Sequence, residues 1–93
     1  MKYKIASTKS FDKDTERMRR RGYDLTVLED IVQQLAQDKP LSARHRDHQL
    51  KGRWQNYREC HITPDWLLIY LKENEQIILV LQRTGTHSDL FKL

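Results

Sequence analysis

The stretch HQLKGRWQNYRECHITPDWLLIY, residues 48–70, contains the pattern that decides the fold. Aromatic and β-compatible side chains in residues 53–62 predict a strand. Residues 65–72 form a second run that is apolar on both faces, which is typical of a strand buried on both sides. Pro64 lacks a backbone N–H group and biases Thr63 away from the helical region, so these two residues predict a tight turn between the strands.

A third strand follows along the chain. Residues 73–75 are polar and charged and predict another turn, and the apolar residues within 76–83 predict a buried strand. Successive strands that are joined by tight turns pair in antiparallel orientation. The sequence therefore predicts a three-stranded antiparallel meander.

The N-terminal half predicts one strand and a helical hairpin. Residues 2–6, KYKIA, alternate between polar and apolar types and predict a short strand. Hydroxyl side chains within residues 7–10 offer N-caps for a first helix that ends at Gly22, and Asp24 can cap a second helix. The apolar side chains of the second helix recur with the helical period, namely Leu25, Leu28, Ile31, Val32 and Leu35. We therefore expect one α+β domain over residues 1–93, with a single sheet.

The composition is that of a small domain with a basic surface. The 93 residues can bury only one modest core. The 17 Lys and Arg residues against 13 Asp and Glu residues give a net charge of +4, which favours a polyanionic partner, either nucleic acid or an acidic protein. The single cysteine, Cys60, permits no intramolecular disulfide, and no apolar run has the length of a membrane span. We expect a cytoplasmic protein with no membrane partner.

The meander brings polar residues to one rim of the predicted sheet. The first tight turn places His61 and Asp65 at the same end, and the third strand returns to bring Arg83 roughly opposite Asp65. His87 follows Arg83 by four residues, so it cannot lie far from the same rim. Strand counting puts the segment next to His48 at the far end, and only a folded-back loop would bring His48 near.

Three interpretations of this rim compete. Histidine suits both proton-transfer steps of RNA cleavage, and an arginine supplies a fork that binds phosphate. A metal site would use His48, His61, His87 and Asp65, but the chain has no paired cysteines and no HExxH motif. The third interpretation is a set of surface histidines without chemistry. We expect no metal ion and no other cofactor.

Two segments together resemble the YafQ group of RelE-type toxins, the ribosome-dependent mRNA interferases of bacterial toxin–antitoxin pairs. They are DHQLKGRWQNYRECHITPDWLLIY at residues 47–70 and LQRTGTHSDLF at residues 81–91. The combination of H-x-x-PDW-x-L-I-Y with RTGTH-x-x-LF is specific, and the segments cover almost half of the chain. The resemblance implies a RelE/ParE-like fold, in which the helical hairpin packs against an antiparallel sheet that includes the N-terminal strand.

The resemblance also implies roles for individual residues. The acid–base constellation consists of His48, His61, Asp65 and His87. Arg83 would stabilise the phosphorane-like transition state. The residues expected to contact RNA are Lys51, Arg53, Arg58, Trp66 and Phe91. The order of the proton transfers stays open, with His87 or Asp65 as general base and His61 or His48 as general acid, and Trp66 has an alternative place in the core.

The resemblance further implies three partners. They are a cognate antitoxin of the ribbon-helix-helix type, similar to DinJ, the mRNA in the ribosomal A site, and ribosomal RNA. The arginines within residues 17–21 are candidates for docking on ribosomal RNA, although the helix dipole alone favours them there. Two alternative functions remain at this point, a ParE-like toxin of the same fold that inhibits gyrase, and a non-catalytic RNA-binding module.

Overall fold

A computed structural model of the protein describes residues 3–91, which form one five-stranded sheet and two longer helices. The elements in chain order are β1 Lys4–Ser7, α1 Lys9–Arg20, α2 Leu25–Ala36, β2 His48–Gln49, β3 Arg58–Thr63, β4 Trp66–Glu73, β5 Ile78–Gly85 and the short helix α3 His87–Leu90. The strand order across the sheet is β1-β5-β4-β3-β2. None of the helices within this part of the chain is long and apolar enough to cross a membrane.

The helical hairpin forms where its sequence signals predict it. The Thr8 hydroxyl accepts a hydrogen bond from the Phe11 N–H at 3.0 Å and caps α1. The Asp24 carboxylate accepts one from the Thr26 N–H at 3.0 Å and caps α2. Gly22 follows α1 with a φ of +89°, a conformation that L side chains rarely adopt. The two caps and this glycine confirm the predicted hairpin.

The three-stranded antiparallel meander is confirmed, but the complete sheet is mixed. β3 pairs antiparallel with β4, and β4 pairs antiparallel with β5. β1 instead pairs in parallel with β5, from Lys4 opposite Ile78 to Ser7 opposite Leu81. The expectation of a wholly antiparallel sheet was therefore wrong. A parallel neighbour needs a long crossover connection, and the hairpin follows β1 directly along the chain.

Several strand boundaries differ from the predicted ones. The strand expected at residues 53–62 begins at Arg58, because Gly52–Trp54 forms a 3-10 turn. This turn folds the chain back so that the short strand β2, which the sequence did not predict, pairs with β3. β1 covers residues 4–7 instead of 2–6, and Lys2 lies outside the described residues.

The register of β5 differs from the predicted register. Arg83 lies opposite Ile69 and Gly85 lies opposite Leu67, so Arg83 is not opposite Asp65. The turn between β4 and β5 is longer than expected, since β4 continues to Glu73 and β5 begins only at Ile78. The register also shifts between Ile69 and Tyr70, which adds a bulge in β5. These two features move Arg83 away from the rim and into the sheet.

Trp66 lies in the core between the sheet and the hairpin. Its residue exposure is 2%, and its indole N–H donates to the Thr84 hydroxyl at 2.9 Å. The Tyr23 ring contacts it edge-on, with ring centroids 5.1 Å apart. A buried indole with a satisfied N–H is a packing residue. The predicted contact of Trp66 with RNA does not fit this location, and its alternative place in the core is the one observed.

Candidate active site

Asp65 and His87 form the exposed centre of the site. Asp65 belongs to the turn before β4, and His87 is the first residue of α3. The His87 Nδ1–H group donates to the Asp65 Oδ1 atom at 3.0 Å, and the His87 backbone N lies 3.4 Å from the same oxygen. The hydrogen bond from the His87 ring, assisted by the one from its backbone, lowers the pKa of the Asp65 carboxyl below its usual value. The side chains are 51% and 69% exposed, so both can contact a substrate.

The start of α3 is held firmly although its histidine is exposed. Thr86 and Asp89 form a reciprocal capping box at its N-terminus. The Asp89 carboxylate also pairs with both terminal nitrogens of Arg21, the C-cap residue of α1, at 2.8 and 3.1 Å. The hydrogen bond from Arg21, with the capping contacts, strongly lowers the pKa of Asp89. Gly85 passes close to this carboxylate, because a Cβ atom added there would lie 3.0 Å from the Asp89 side chain.

His61 lies beside His87 on the neighbouring part of the rim. The centroids of the two rings are 5.8 Å apart. The His61 Nδ1–H group donates to the Pro64 carbonyl at 3.3 Å, and the side chain is 12% exposed. The buried His45 side chain donates to the His61 carbonyl at 2.7 Å and so stabilises the backbone of β3 at His61. The structure therefore brings together His61, Asp65 and His87 as the sequence predicted.

His48 reaches the same face of the sheet through β2. It is directly opposite Glu59 in the β2–β3 ladder, and its Nε2 atom lies 3.5 Å from the Glu59 Oε1 atom. The His61 Nε2 atom lies 3.7 Å from that same oxygen. The His48 Nδ1–H group donates to the Arg46 carbonyl at 2.6 Å. The folded-back loop that strand counting required for His48 is thus present.

Glu59 is a site residue that the sequence analysis missed. Its residue exposure is 5%, and it lies between the imidazoles of His48 and His61. The signal in the sequence is the spacing of two between Glu59 and His61, which puts both side chains on one face of a strand. Sequence alone did not show that this glutamate would be buried against two histidines.

The hydrogen bonds fix the tautomer of all three site histidines. A carbonyl or carboxylate oxygen can only accept, so each Nδ1 atom must carry its hydrogen. In the neutral ring the Nε2 atom is then the free base, and in the charged ring it carries the second proton. Each histidine therefore exchanges protons through Nε2.

Arg83 lies on the same face as the histidines but not at the rim. The register connects His48, Glu59, Ile69 and Arg83 in one row across four strands. Adjacent strands are about 4.8 Å apart, and Arg83 lies two strands away from Glu59. The Cα atoms of the two residues are therefore roughly 10 Å apart. Its guanidinium group pairs with the buried Asp14 carboxylate on α1, a second residue that the sequence analysis missed.

The predicted RNA-contacting residues differ in how freely they are available. Lys51 and Arg53 are exposed and form no ion pair within residues 3–91. Arg58 donates to Asp47 at 3.3 Å and is partly buried. Phe91 is partly exposed, and its ring centroid lies 6.4 Å from that of His87. The Phe91 ring therefore borders the exposed His87 side chain.

The arginines of α1 and of its C-cap are largely engaged in ion pairs. Arg17 pairs with Asp14, Arg19 with Glu16 and Arg21 with Asp89. These pairs reduce the positive charge that α1 can present to ribosomal RNA. In residues 3–91, no group of three or more His, Cys, Asp or Glu side chains is arranged to hold a metal ion.

Comparisons with known proteins find relatives that match most of the chain. The family model described as "Bacterial toxin of type II toxin-antitoxin system, YafQ" matches residues 3–92. The mRNA interferase toxin YafQ of Escherichia coli K12 is 38% identical over 82 residues, which cover 87% of each chain. A crystal structure of the E. coli DinJ–YafQ toxin–antitoxin complex matches with a TM-score of 0.88 and 35% identity, covering 98% of this chain and 99% of the matched chain. A metal-bound toxin from Helicobacter pylori matches with a TM-score of 0.90 and 42% identity, covering 96% of this chain and 99% of that one.

Proposed function

The chain belongs to the YafQ family of bacterial toxins from type II toxin–antitoxin systems, and we propose that it is a ribosome-dependent mRNA endoribonuclease. The observation that carries this proposal is the cluster of His61, Asp65 and His87, with ring centroids 5.8 Å apart and one histidine bound to a carboxylate. The E. coli relative is an mRNA interferase, which supports RNA as the substrate. The proposed site of action is the cytoplasm, where messages are translated.

The proposed reaction is attack of a ribose 2′ oxygen on the adjacent phosphorus. A general base removes the 2′-hydroxyl proton while the new P–O bond forms, and a general acid gives a proton to the 5′ oxygen as its bond to phosphorus breaks. The products are a 2′,3′-cyclic phosphate and a 5′-hydroxyl end. Both proton transfers are carried out by side chains, so the proposed chemistry needs no metal ion.

The contacts of the two neighbouring histidines support different roles for them. The His61 Nε2 atom lies 3.7 Å from a carboxylate oxygen of Glu59, an acceptor that can orient an Nε2–H group. We assign the general acid to His61 for this reason. The His87 Nδ1–H group is held by Asp65, which orients the ring with Nε2 as the free base. We assign the general base to His87, with Asp65 as the residue that orients it.

Arg83 is proposed to stabilise the charge on the phosphate during cleavage. A guanidinium group binds phosphate oxygens through paired N–H donors and remains charged at any physiological pH. Arg83 lies on the histidine face, and its side chain is 29% exposed. His48 is proposed to support the acid step through the Glu59 carboxylate that it shares with His61.

We propose dependence on the ribosome because the part of the chain that the structure describes offers a limited surface for binding free RNA. Within residues 3–91 the candidates for contact with a message are chiefly the exposed Lys51 and Arg53 and the partly exposed Phe91. Aligning a 2′-hydroxyl with its leaving group is a separate task that can change a rate by several orders of magnitude. We propose that a codon held in the ribosomal A site supplies this alignment, with the basic residues contacting message and ribosomal RNA.

The cognate partner is proposed to be an antitoxin similar to DinJ, of the ribbon-helix-helix type. The crystal structure of the related DinJ–YafQ complex supports an antitoxin partner for this chain. The net charge of +4 favours an acidic antitoxin segment.

The test compares one message at one salt concentration, free and bound in a translating ribosome. We expect cleavage within the codon on ribosomes and nearly intact free RNA, with the rate unchanged by a chelator that binds transition metals but leaves the Mg²⁺ of the ribosome in place. The His87→Ala protein is the control for contaminating nucleases. Equal cleavage of free and ribosome-bound message would remove the ribosome from the mechanism, and loss of activity with chelator would remove metal independence.

A further inference from the structure

Asp14 is a buried carboxylate to which the proposed chemistry gives no role. Its residue exposure is 2%, and it accepts four hydrogen bonds. Arg83 donates through Nε at 2.6 Å and through Nη2 at 3.1 Å, the Thr84 backbone N–H donates at 3.1 Å, and the Arg17 Nη2 atom donates at 2.7 Å. A carboxylate persists at such burial only when it is paired and hydrogen-bonded, so these contacts are fixed features of the fold.

The sheet itself explains why Asp14 lies beside β5. β1 ends at Ser7, opposite Leu81, and no other strand within residues 3–91 pairs with the outer edge of β5 beyond that point. Helix α1 covers this edge, and the Asp14 carboxylate accepts the Thr84 N–H that a neighbouring strand would otherwise bind. The same carboxylate oxygen, Oδ2, accepts the Arg83 Nε–H group. The edge of the strand and the arginine side chain are thereby fixed to one point on α1.

The pairing holds one edge of the guanidinium group and leaves another available. Asp14 binds the Nε and Nη2 atoms of Arg83 in the two-point geometry that orients an arginine best. The Arg83 Nη1 atom forms no hydrogen bond to protein within residues 3–91, and the side chain keeps 29% of its exposure. A phosphate oxygen can therefore approach Nη1 without displacing the carboxylate.

Arg17 keeps this cluster positive. Its Nη2 atom binds the Asp14 Oδ1 atom, which also accepts from Arg83. Two guanidinium groups against one carboxylate leave a net charge of +1. Asp14 thus fixes the direction of Arg83 without cancelling the charge that a phosphate would meet.

We propose that Asp14 is a positioning residue for cleavage, whose buried carboxylate aims the guanidinium group of Arg83 at the phosphate. This inference rests on the proposed function, in which Arg83 stabilises the reacting phosphate. A misplacement of about 1 Å in such a group can cost roughly a hundredfold in rate.

The test is a double-mutant cycle of Asp14→Asn and Arg83→Gln, measured as single-turnover cleavage of ribosome-bound message. Asp14→Asn should lower the rate at saturating ribosome concentration roughly tenfold to a hundredfold, with little change in the half-saturating concentration. In the Arg83→Gln background the same change should cost little more, because the group it positions is gone. Asp12→Asn, an exposed carboxylate on the same helix, is the matched control and should keep full activity.

Each other outcome overturns a defined part of the inference. Equal losses in both backgrounds would show that Asp14 acts on the fold and not through Arg83, and full activity of Asp14→Asn would remove its role. Full activity of Arg83→Gln would instead refute the proposed role of Arg83 itself. If Asp14→Asn does not fold, the test is the rate at which the arginine Nε–H groups of the wild-type protein exchange with water, measured by NMR. The Arg83 signal should exchange slowly with water while that of the exposed Arg53 exchanges fast, and equally fast exchange would overturn the proposal.

Discussion

His87 and Arg83 are four residues apart in the chain, and each pairs with a carboxylate, but one pair is exposed and the other is largely buried. The His87–Asp65 pair is exposed, at 51% and 69% of the side chains. The Arg83–Asp14 pair is largely buried, at 29% and 3%, and has two hydrogen bonds between the partners. The first pair contributes little to stability because water screens it, whereas loss of one partner from the second leaves a buried charge.

The difference corresponds to what each residue is proposed to do. A proton-transfer group must reach the substrate and change its charge, and an exposed pair allows both. A charge-stabilising group must stay in one place and keep its charge, and a buried two-point pair enforces both. The contrast predicts that activity and stability separate at His87 and fall together at Arg83.

The largest effect is expected from His87→Ala. Loss of the general base should slow cleavage by roughly a hundredfold to ten-thousandfold, while the free energy of unfolding should change by less than about 0.5 kcal/mol, because the side chain is exposed. Single-turnover cleavage and urea unfolding of the same preparation test both parts. Ser88→Ala, at the adjacent exposed position, is the control and should retain activity. A His87→Ala protein that is folded and fully toxic would refute the assignment.

The next effect concerns the division of labour between His61 and His87. His61→Gln should slow cleavage by about a hundredfold, and a message with sulfur in place of the bridging 5′ oxygen should restore most of the rate. A thiolate leaves without a proton, so it no longer needs the general acid. The same message should not rescue His87→Gln, because the base step is unchanged. Rescue of His87→Gln and not of His61→Gln would reverse the two roles.

A smaller effect on stability is expected from Arg83→Gln. The change leaves Asp14 buried with only Arg17 and the Thr84 N–H as donors, so the free energy of unfolding should fall by about 1–3 kcal/mol. Urea unfolding measures the change. Arg53→Gln, an exposed arginine without an ion pair in the described residues, should shift it by less than about 0.5 kcal/mol. Similar values for the two variants would show that the buried pair of Arg83 with Asp14 stabilises the fold no more than an exposed, unpaired arginine does.

The smallest effect is expected in acid. Hydrogen bonds from His87 and from Arg21 lower the pKa of Asp65 and of Asp89, respectively. A carboxyl with a lowered pKa in the folded protein stabilises it above the unfolded value near 4, and this stabilisation is lost as the pH falls towards the folded value. Asp89→Asn should therefore flatten the loss of stability below about pH 4 more than Asp65→Asn does, since the shift at Asp89 is larger. Unfolding curves between pH 7 and pH 2 test this, and an unchanged slope in Asp89→Asn would contradict it.

Local signals in the sequence explain which parts of the site were predicted. The turn at Pro64 joins His61 to Asp65 over four residues, so their proximity depends on little else. His87 lies just beyond the end of β5, and Asp65 lies just before the start of β4. Because both residues lie at strand ends, their predicted proximity was correct although the predicted register of β5 was wrong. The position of Arg83 within the strand did depend on the register, and a longer turn together with one bulge changed it.

The sequence by itself determined the α+β class, the helical hairpin, the meander and the family, because caps, periodicity, turns and a specific motif are all local features. Tertiary structure alone decided the parallel pairing of β1, the return of His48 through β2 and the burial of Trp66. It also placed Glu59 between two histidines and Asp14 against Arg83. Carboxylates look alike in a sequence, and their environment comes from elements far away in the chain, 69 residues away for the Asp14–Arg83 pair. Only the folded chain shows which of them lose contact with water and therefore fix a partner in place.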